Sequence, residues 1–557
     1  MSNLDWAVLI STLLFVTFYG IYKSRKQQNL ESYLLGDRSL PWYKVMFSVV
    51  ATQASAITFL SAPGQAYTDG MRFVQFYFGM PLAMIVVCAV FLPRYSKLNV
   101  YTAYEFLEKR FNVQTRVFTA FLFLLSRGLA SGLTIYAPAL ILSSLLGWNI
   151  FFANIMMGSL VILYTVSGGS KAVAVTQFQQ MIIVSLGMLI AGILVVKLLP
   201  ENIGFYDALT ISGSLGKLNT ITTNFDFNDK YNIWSGLLGG FFLSLSYFGT
   251  DQSQVSRYLS GKSLNESKIG MLMTGFVKIP MQFLILLIGA LLVAFYQFTP
   301  APLFFNQALL KKAKQTEQGA YIQQLEQQLQ TLSANKKTIA FQLVDSPENK
   351  AVADELKALN QQEKILREET KVAIKTAMPL ADTNDTNYIF LDFVMRYLPQ
   401  GLIGLLIAVI FCASWSSTSS ELNALASTTI VDGYKRLFKT KASDAFYVRA
   451  SRITTLLWGL FAIGVAQFAS AMGSLIEAVN VLGSLFYGTI LGIFLTAFFL
   501  KKVQGNAVFI ASIISEIIII ALYMFDVTAF LWLNVIGCAL VMSLSTLFST
   551  SIFKKAS

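Results

Sequence analysis

Apolar stretches of about 20 residues, the length that crosses a bilayer as a helix, recur near residues 3–22, 43–67, 73–93, 117–146, 149–167, 173–199, 233–256, 268–298, 399–431, 448–472, 474–500, 507–526 and 530–550. They predict an all-α polytopic membrane protein with about thirteen transmembrane helices. The first stretch lacks a basic n-region and a cleavage site, so it reads as a retained helix. One region departs from the pattern. From about Gln307 to Thr383 the chain is rich in Gln, Lys, Glu and Ala, with Leu325, Leu329 and Leu332 and then Leu356, Leu359 and Leu366 at helical spacing. It predicts a solvated extramembrane helical hairpin bent near Pro347, either without a specific ligand or docking an unknown partner.

Two spans carry small and polar residues that interrupt them. The second contains Ala51-Thr-Gln-Ala-Ser-Ala-Ile-Thr58 and Ser61-Ala-Pro-Gly64; the span at 233–256 contains Gly239-Gly240, Ser244, Ser246 and Gly249-Thr-Asp-Gln252. Breaks at corresponding positions five spans apart predict two inverted repeats, in which unwound backbone offers carbonyls to an ion and helix ends to a substrate. The chain then divides into an N-terminal helix and cytoplasmic loop (1–42), a first repeat (43–199), an outer loop (200–232), a second repeat (233–500) carrying the insertion at about 307–383, and two C-terminal helices with a tail (501–557).

Composition agrees: 55% hydrophobic, 13% charged and a mean hydropathy of +0.59 are far from a soluble enzyme. The net charge of +12 does not imply nucleic acid, because the basic residues cluster between spans. Lys23/Arg25/Lys26, Arg94/Lys97, Lys109/Arg110, Lys171, Arg257/Lys262, Lys435/Arg436/Lys439/Lys441, Lys501/Lys502 and Lys554/Lys555 fall on alternate connections. This predicts a plasma (inner) membrane protein with its N-terminus outside, its C-terminus in the cytoplasm and the hairpin on the outer face. Histidine is absent, which removes histidine metal sites, Ser-His or Cys-His nucleophiles and histidine relays. Cys88, Cys412 and Cys538 sit in apolar segments as small buried side chains. No HExxH, nucleophile-base set or phosphate loop appears, so no enzyme is expected.

Polar groups within the spans carry the candidate chemistry. Ala413-Ser-Trp-Ser-Ser-Thr-Ser-Ser420 comes after the apolar Leu402–Phe411 with only Cys412 between. Clustered neutral oxygens suit a weakly held monovalent cation; serines that back-bond or ease helix packing are the alternative. Lys278, Arg127, Glu477 and Glu516 are intramembrane charges that need a partner, water or a task. For Arg127 two readings stand, a counter-charge for an anionic substrate and a side chain snorkelling to the interface.

Thr250-Asp-Gln252 with Arg257 and Lys262, Tyr164-Thr-Val-Ser-Gly-Gly-Ser-Lys171, Ile135-Tyr-Ala-Pro-Ala-Leu140, and Leu422-Asn423 through Asp432 and Tyr434 together resemble the sodium/solute symporter family, which includes sodium-coupled glucose, proline, iodide, monocarboxylate and sialic acid carriers. The resemblance covers most of the chain outside the polar insertion. It implies a LeuT-type five-plus-five inverted repeat and a sodium-coupled secondary symporter importing a small polar or anionic organic solute by alternating access, with Na+ as coupling ion and no organic cofactor. It further implies sodium held by carbonyls of Ala51, Ala54 and Ala413 and hydroxyls of Ser416 and Ser417. Some relatives have a second sodium site on an aspartate after a Thr; here Thr176-Gln177 lacks that carboxylate, which implies one sodium per cycle. The substrate pocket is implied at Gln53, Thr58, Tyr77, Ser244, Lys278 and Asn480, closed from the cytoplasm by Tyr247. Of the galactose carrier's sugar ligands only the lysine is kept, at Lys278, which argues against that sugar-binding mode. A proton-coupled carrier using Asp251 or Glu477, or a non-transporting receptor or scaffold, is the alternative.

Overall fold

The computed structural model describes residues 1–24, 38–98, 100–379, 381–438 and 442–551. Arg25, Lys26, Lys439, Lys441, Lys554 and Lys555 of the basic clusters lie outside these residues, as do the side chains of Lys23 and of Ser167–Lys171. Among the described residues there is no strand, only an isolated bridge between Leu40 and Gly261. Among the described residues nine helices are long and apolar enough to cross a membrane, and a bent pair makes a tenth. Two shorter apolar helices, Asn3–Val16 and Ile150–Val166, and an interrupted run at 235–259 stand where the other three spans are expected.

The chain runs through α1 (Asn3–Ser24), the bent pair α2 (Trp42–Gln53) and α3 (Ala56–Asp69), and a 3-10 turn at Met71–Tyr77 into α4 (Met80–Val86), which continues through a π-turn into α5 (Leu92–Leu98). After the short α6 (Glu105–Arg110) come α7 (Val113–Leu146), α8 (Ile150–Lys197), which contains two apolar stretches, and α9 (Phe205–Ser214). The second interrupted span is α10 (Gly240–Thr250) and α11 (Gln252–Leu259), and α12 (Leu264–Phe298) comes after it. Next come α13 (Gln307–Ala313), α14 (Gly319–Asp345) and α15 (Lys350–Ala377), then α16 (Ile389–Tyr397), α17 (Leu402–Thr428), α18 (Asp444–Ala466), α19 (Leu475–Phe499), α20 (Gly505–Met524) and α21 (Phe530–Ser551).

Helices α2, α3 and α12 pack together, as do α4 and α10, while α7, α8, α17 and α18 form a second group. Helix α17 touches both groups, and 89% of its span is buried, so its polar residues must be satisfied by protein or cargo rather than by lipid or bulk water.

Both breaks have local causes. Helices α2 and α3 meet at 60° because Ala54 leaves the helical region (φ −81°, ψ 69°). The Ala54 N–H still donates to Val50, but Ser55 donates to the Gln53 carbonyl and Thr58 to that of Ser55, which leaves the Ala51 and Ala54 carbonyls out of the backbone ladder. In the second interrupted span the break falls at Asp251, which is extended (ψ 119°) and caps α11 by accepting from the Ser253 N–H at 2.8 Å. The freed carbonyls of Gly249 and Thr250 accept from the hydroxyls of Tyr95 (2.7 Å) and Tyr104 (3.0 Å). Gly239-Gly240 does not break the helix. It belongs to a stretch where Gly236 and Gly240 approach the Gln75 and Phe76 carbonyls so closely that a Cβ would collide.

The insertion is a hairpin, turning at residues 346–349 with Asn349 capping α15. Ile322, Leu325 and Leu329 of α14 pack with Ala373 and Ile374 of α15 and with Leu303 and Phe304. It is pinned to the end of α12 by reciprocal amide bonds between Gln297 and Asn360 (3.3 and 3.0 Å). At its centre Glu363 bonds Lys336 and, at 2.8 Å, Arg367. Burial pushes the Glu363 carboxyl up, but the two cations overcome it and hold it at about 2. Because this lies below the unfolded value of roughly 4.3, the stabilisation is complete above about pH 5 and is lost as pH falls through about 4 toward 2. Glu363→Gln is therefore expected to loosen residues 319–377 at neutral pH, by roughly 3–5 kcal/mol, because two cations stay buried with their anion gone. Amide exchange within the hairpin reads this; protection equal to the parent's would sink it.

Candidate functional site: a cavity between two interrupted helices

The hydroxyl run of α17 divides as its hydrogen bonds are traced. Ser414 donates to the Thr134 carbonyl (2.8 Å) and Thr418 to the Thr134 hydroxyl (2.9 Å), while Ser419 and Ser420 donate to the Ser416 carbonyl (3.1 and 2.9 Å). These four have the packing and back-bonding roles of ordinary membrane serines. The Ser417 hydroxyl lies 3.1 Å from the carbonyls of both Ala413 and Ser414. Ser416 differs: its Oγ is buried and has no hydrogen-bond partner among the described residues. An orphaned buried hydroxyl is costly unless something outside the protein completes it.

Gln177 of α8 ties this stretch to the first broken helix. Its Nε2 donates to the Ser420 hydroxyl (2.9 Å), the Thr52 hydroxyl (3.3 Å) and the Ser416 carbonyl (3.4 Å), and its Oε1 accepts from Ser48 (2.5 Å). The sequence signals only the missing carboxylate. The structure adds that the amide nitrogen sits among oxygens of two helices, α2 and α17, a neutral donor in an oxygen-rich position.

A cavity of about 110 Å³ opens between α3, α7, α10, α12 and α19, and it brings together all seven pocket residues, Gln53, Thr58, Tyr77, Ser244, Tyr247, Lys278 and Asn480. Several are already engaged: Asn480 donates to the Ile476 carbonyl (2.7 Å), Thr58 to the Gln53 carbonyl (3.4 Å), and the Tyr247 hydroxyl accepts from Gln254 (2.6 Å). The side-chain oxygen of Gln53 is buried without a partner among the described residues. Lys278 is 2% exposed. Its ammonium lies 5.7 Å from the Tyr77 ring centroid.

Arg127 lines the same cavity and is 4% exposed, so it does not snorkel; the interface reading is overturned by burial. Its Nε donates to Asp251 (3.1 Å), one terminal nitrogen to Glu421 (3.1 Å), and the other to Asp251 and the Tyr487 hydroxyl. Tyr487 donates to Asp251 at 2.8 Å, and Thr134 donates to Glu421 at 3.2 Å. The guanidinium also lies 5.2 Å from the Tyr247 ring centroid. With two carboxylates against it, Arg127 has no charge to spare for a substrate. Glu421 was not foreseen; its signal in the sequence is an acid placed directly after the hydroxyl run. Glu477 stands in the first turn of α19, a quarter exposed, and pairs with Lys230 on the loop between α9 and α10. Glu516 is buried on α20 and does not line the cavity.

The model of the sodium:solute symporter family matches residues 33–331 and 364–515. The sodium-coupled monocarboxylate transporter 1 of Mus musculus is 27% identical over 497 residues, 88% of this chain and 68% of that one. A sodium/sialic acid symporter of Proteus mirabilis is 24% identical over 561 residues, 98% of this chain and 94% of its own. The solved structure of a Na+-coupled sialic acid symporter in its substrate-bound outward-open state superposes with a TM-score of 0.77 at 23% identity, covering 99% of this chain and 98% of that one.

Proposed function

Because the chain belongs to the sodium:solute symporter family, we propose that this multi-pass membrane protein uses the sodium gradient to import a small anionic organic solute, as a carrier and not an enzyme. Sodium is the coupling ion. In this reading it is held by the Ala51, Ala54 and Ala413 carbonyls and the Ser416 and Ser417 hydroxyls, and the solute by the cavity around Gln53, Thr58, Tyr77, Ser244, Lys278 and Asn480 above Tyr247. The observation that carries it is the Ser416 hydroxyl, buried and unpartnered on the helix packed against the break that releases two carbonyls. A cage of neutral oxygens binds sodium loosely enough to release it. Gln177, an uncharged amide already bonded to its oxygens, supports one sodium per cycle. Relatives named for monocarboxylate and sialic acid transport support an anionic cargo.

Sodium binding favours the outward-facing form, the solute binds next, and rocking of one repeat (43–199) against the other (233–500) exposes both to the cytoplasm. The alternating basic clusters support an N-terminus outside and a C-terminus inside the plasma membrane. The test is uptake of a panel of small organic anions into proteoliposomes. Uptake is expected under an inward sodium gradient and lost when potassium replaces sodium, with one sodium taken up per solute. Uptake that persists without sodium and tracks an imposed pH gradient would overturn the reading.

A further inference from the structure

The carrier chemistry leaves Glu516 unused. It lies eight residues before the end of α20, so its backbone sits about 12 Å inside the nearer helix end. A glutamate side chain cannot reach an interface from that depth. It belongs to the buried stripe of α20 with Val508, Ser512, Ser515 and Ile519, and is 6% exposed. Neither carboxyl oxygen has a hydrogen-bond partner among the described residues. Thr489 of α19 faces it, fully buried and with its own hydroxyl unpartnered among the described residues. Thr489 stands two residues after Tyr487, about 200° around the helix. Helix α19 therefore presents Tyr487 to the cavity and Thr489 to Glu516, on its opposite side.

The helices packed on α20 are α19, α21 and α7, and they decide which charges can face Glu516. On α21 the titratable group is Cys538, and on α7 Tyr136 accompanies two arginines. Arg116 pairs with Glu108 and Asp432, and Arg127 with Asp251 and Glu421. On α19 Glu477 pairs with Lys230, and Tyr487 bonds to Asp251. Tyr523, on α20 itself, is exposed. Among the described residues no cation is left for Glu516. An ionised carboxylate with neither counter-ion nor hydrogen bond is far costlier in such a place than its neutral form. A metal ion would find fewer oxygens here than in the cage proposed for sodium, whereas a proton needs one.

We infer that Glu516 is a proton-binding site between α19 and α20, its carboxyl held neutral and its O–H available to the Thr489 hydroxyl. The proton is taken from water as the two helices pack and returned to water when they part. Binding it holds α20 against the back of the cavity wall.

Infrared spectroscopy of the purified full chain tests this. The spectrum of the parent minus that of Glu516→Gln, at neutral pH, is expected to contain the carbonyl stretch of a protonated carboxyl, shifted on transfer to D2O. Stability is the second readout. In the unfolded chain a glutamate ionises at roughly pH 4.3, while the native site keeps its proton. Above about pH 5 the native state then binds one proton more, so the parent's ratio of folded to unfolded chain falls about tenfold per pH unit relative to Glu516→Gln. At neutral pH the variant is expected to be at least as stable as the parent and to keep the sodium response. The inference is overturned by a carboxylate band in place of the carboxyl band, or by a pH dependence equal in parent and variant or of the opposite sign. Failure of Glu516→Gln to fold would overturn it too, because a site that holds a neutral carboxyl accepts the neutral amide of the same shape. In the Ser416→Ala background, a sodium response that disappears with Glu516→Gln would put a metal ion, not a proton, at Glu516.

Discussion

Arg127→Met is expected to abolish uptake and to lower the melting temperature of the purified protein sharply. The guanidinium joins α7 to the break between α10 and α11 through Asp251, to α17 through Glu421 and to α19 through Tyr487. All of these groups are buried. Removing the single cation leaves two carboxylates facing each other with only hydroxyls and one backbone N–H for support. Breaking a buried ion pair from one side costs roughly 3–5 kcal/mol, because the orphaned charge keeps its desolvation penalty. The neutral combination Arg127→Met with Asp251→Asn and Glu421→Gln is expected to regain most of the stability and none of the uptake, since no charge is left stranded but the bridge between helix groups is gone. A melting temperature for Arg127→Met equal to the parent's would mean that the arginine reaches water, and would restore the snorkelling reading. The pairing also bears on mechanism. Any motion that tilts the α10–α11 break away from α7 and α17 has to part Arg127 from Asp251, so this contact opposes opening of the cavity at Tyr247 until ion and solute offset it.

How far a feature could be read from the chain depends on how local its signal is. Bilayer-length apolar runs and their breaks depend on composition within a window, so the spans, the hairpin and the 60° bend at Ala54 were all legible. Glycine was ambiguous because it serves both to break a helix and to let backbones touch. Gly239-Gly240 does the second, and the break lies instead at Asp251, whose side chain caps α11. Arg127 illustrates the harder case. Its partners lie 124 and 294 residues away, and no local pattern ties residues at such separations. The absence of charge at Gln177 was legible too, but its bonds to Ser48, Thr52, Ser416 and Ser420 depend on the crossing of three helices. Orphaned groups are the extreme instance, since an unpaired Ser416 or Lys278 is defined by everything that fails to reach it.

Ser416→Ala is expected to erase the sodium-dependent rise in melting temperature while leaving the melting temperature in potassium unchanged or slightly higher. Most substitutions at a buried polar residue lose on both counts, because the side chain also holds the fold. Here the hydroxyl satisfies nothing among the described residues, and a buried unpaired hydroxyl carries a penalty on the order of 1–3 kcal/mol that alanine removes. The loss appears only when the ion is present. Each tenfold fall in sodium affinity takes about 1.4 kcal/mol from the linked stabilisation at saturating sodium, and one of the five proposed ligands can account for one or two such factors. Ser417→Ala has a different signature, since its hydroxyl also bonds the Ala413 and Ser414 carbonyls, so some stability is lost in potassium as well. The pair of variants thus separates an ion ligand from a helix-packing serine by the salt in which each effect appears. If Ser416→Ala kept the full sodium response, the ion would not be held at this hydroxyl, and the oxygen cage would have to be sought elsewhere along α17.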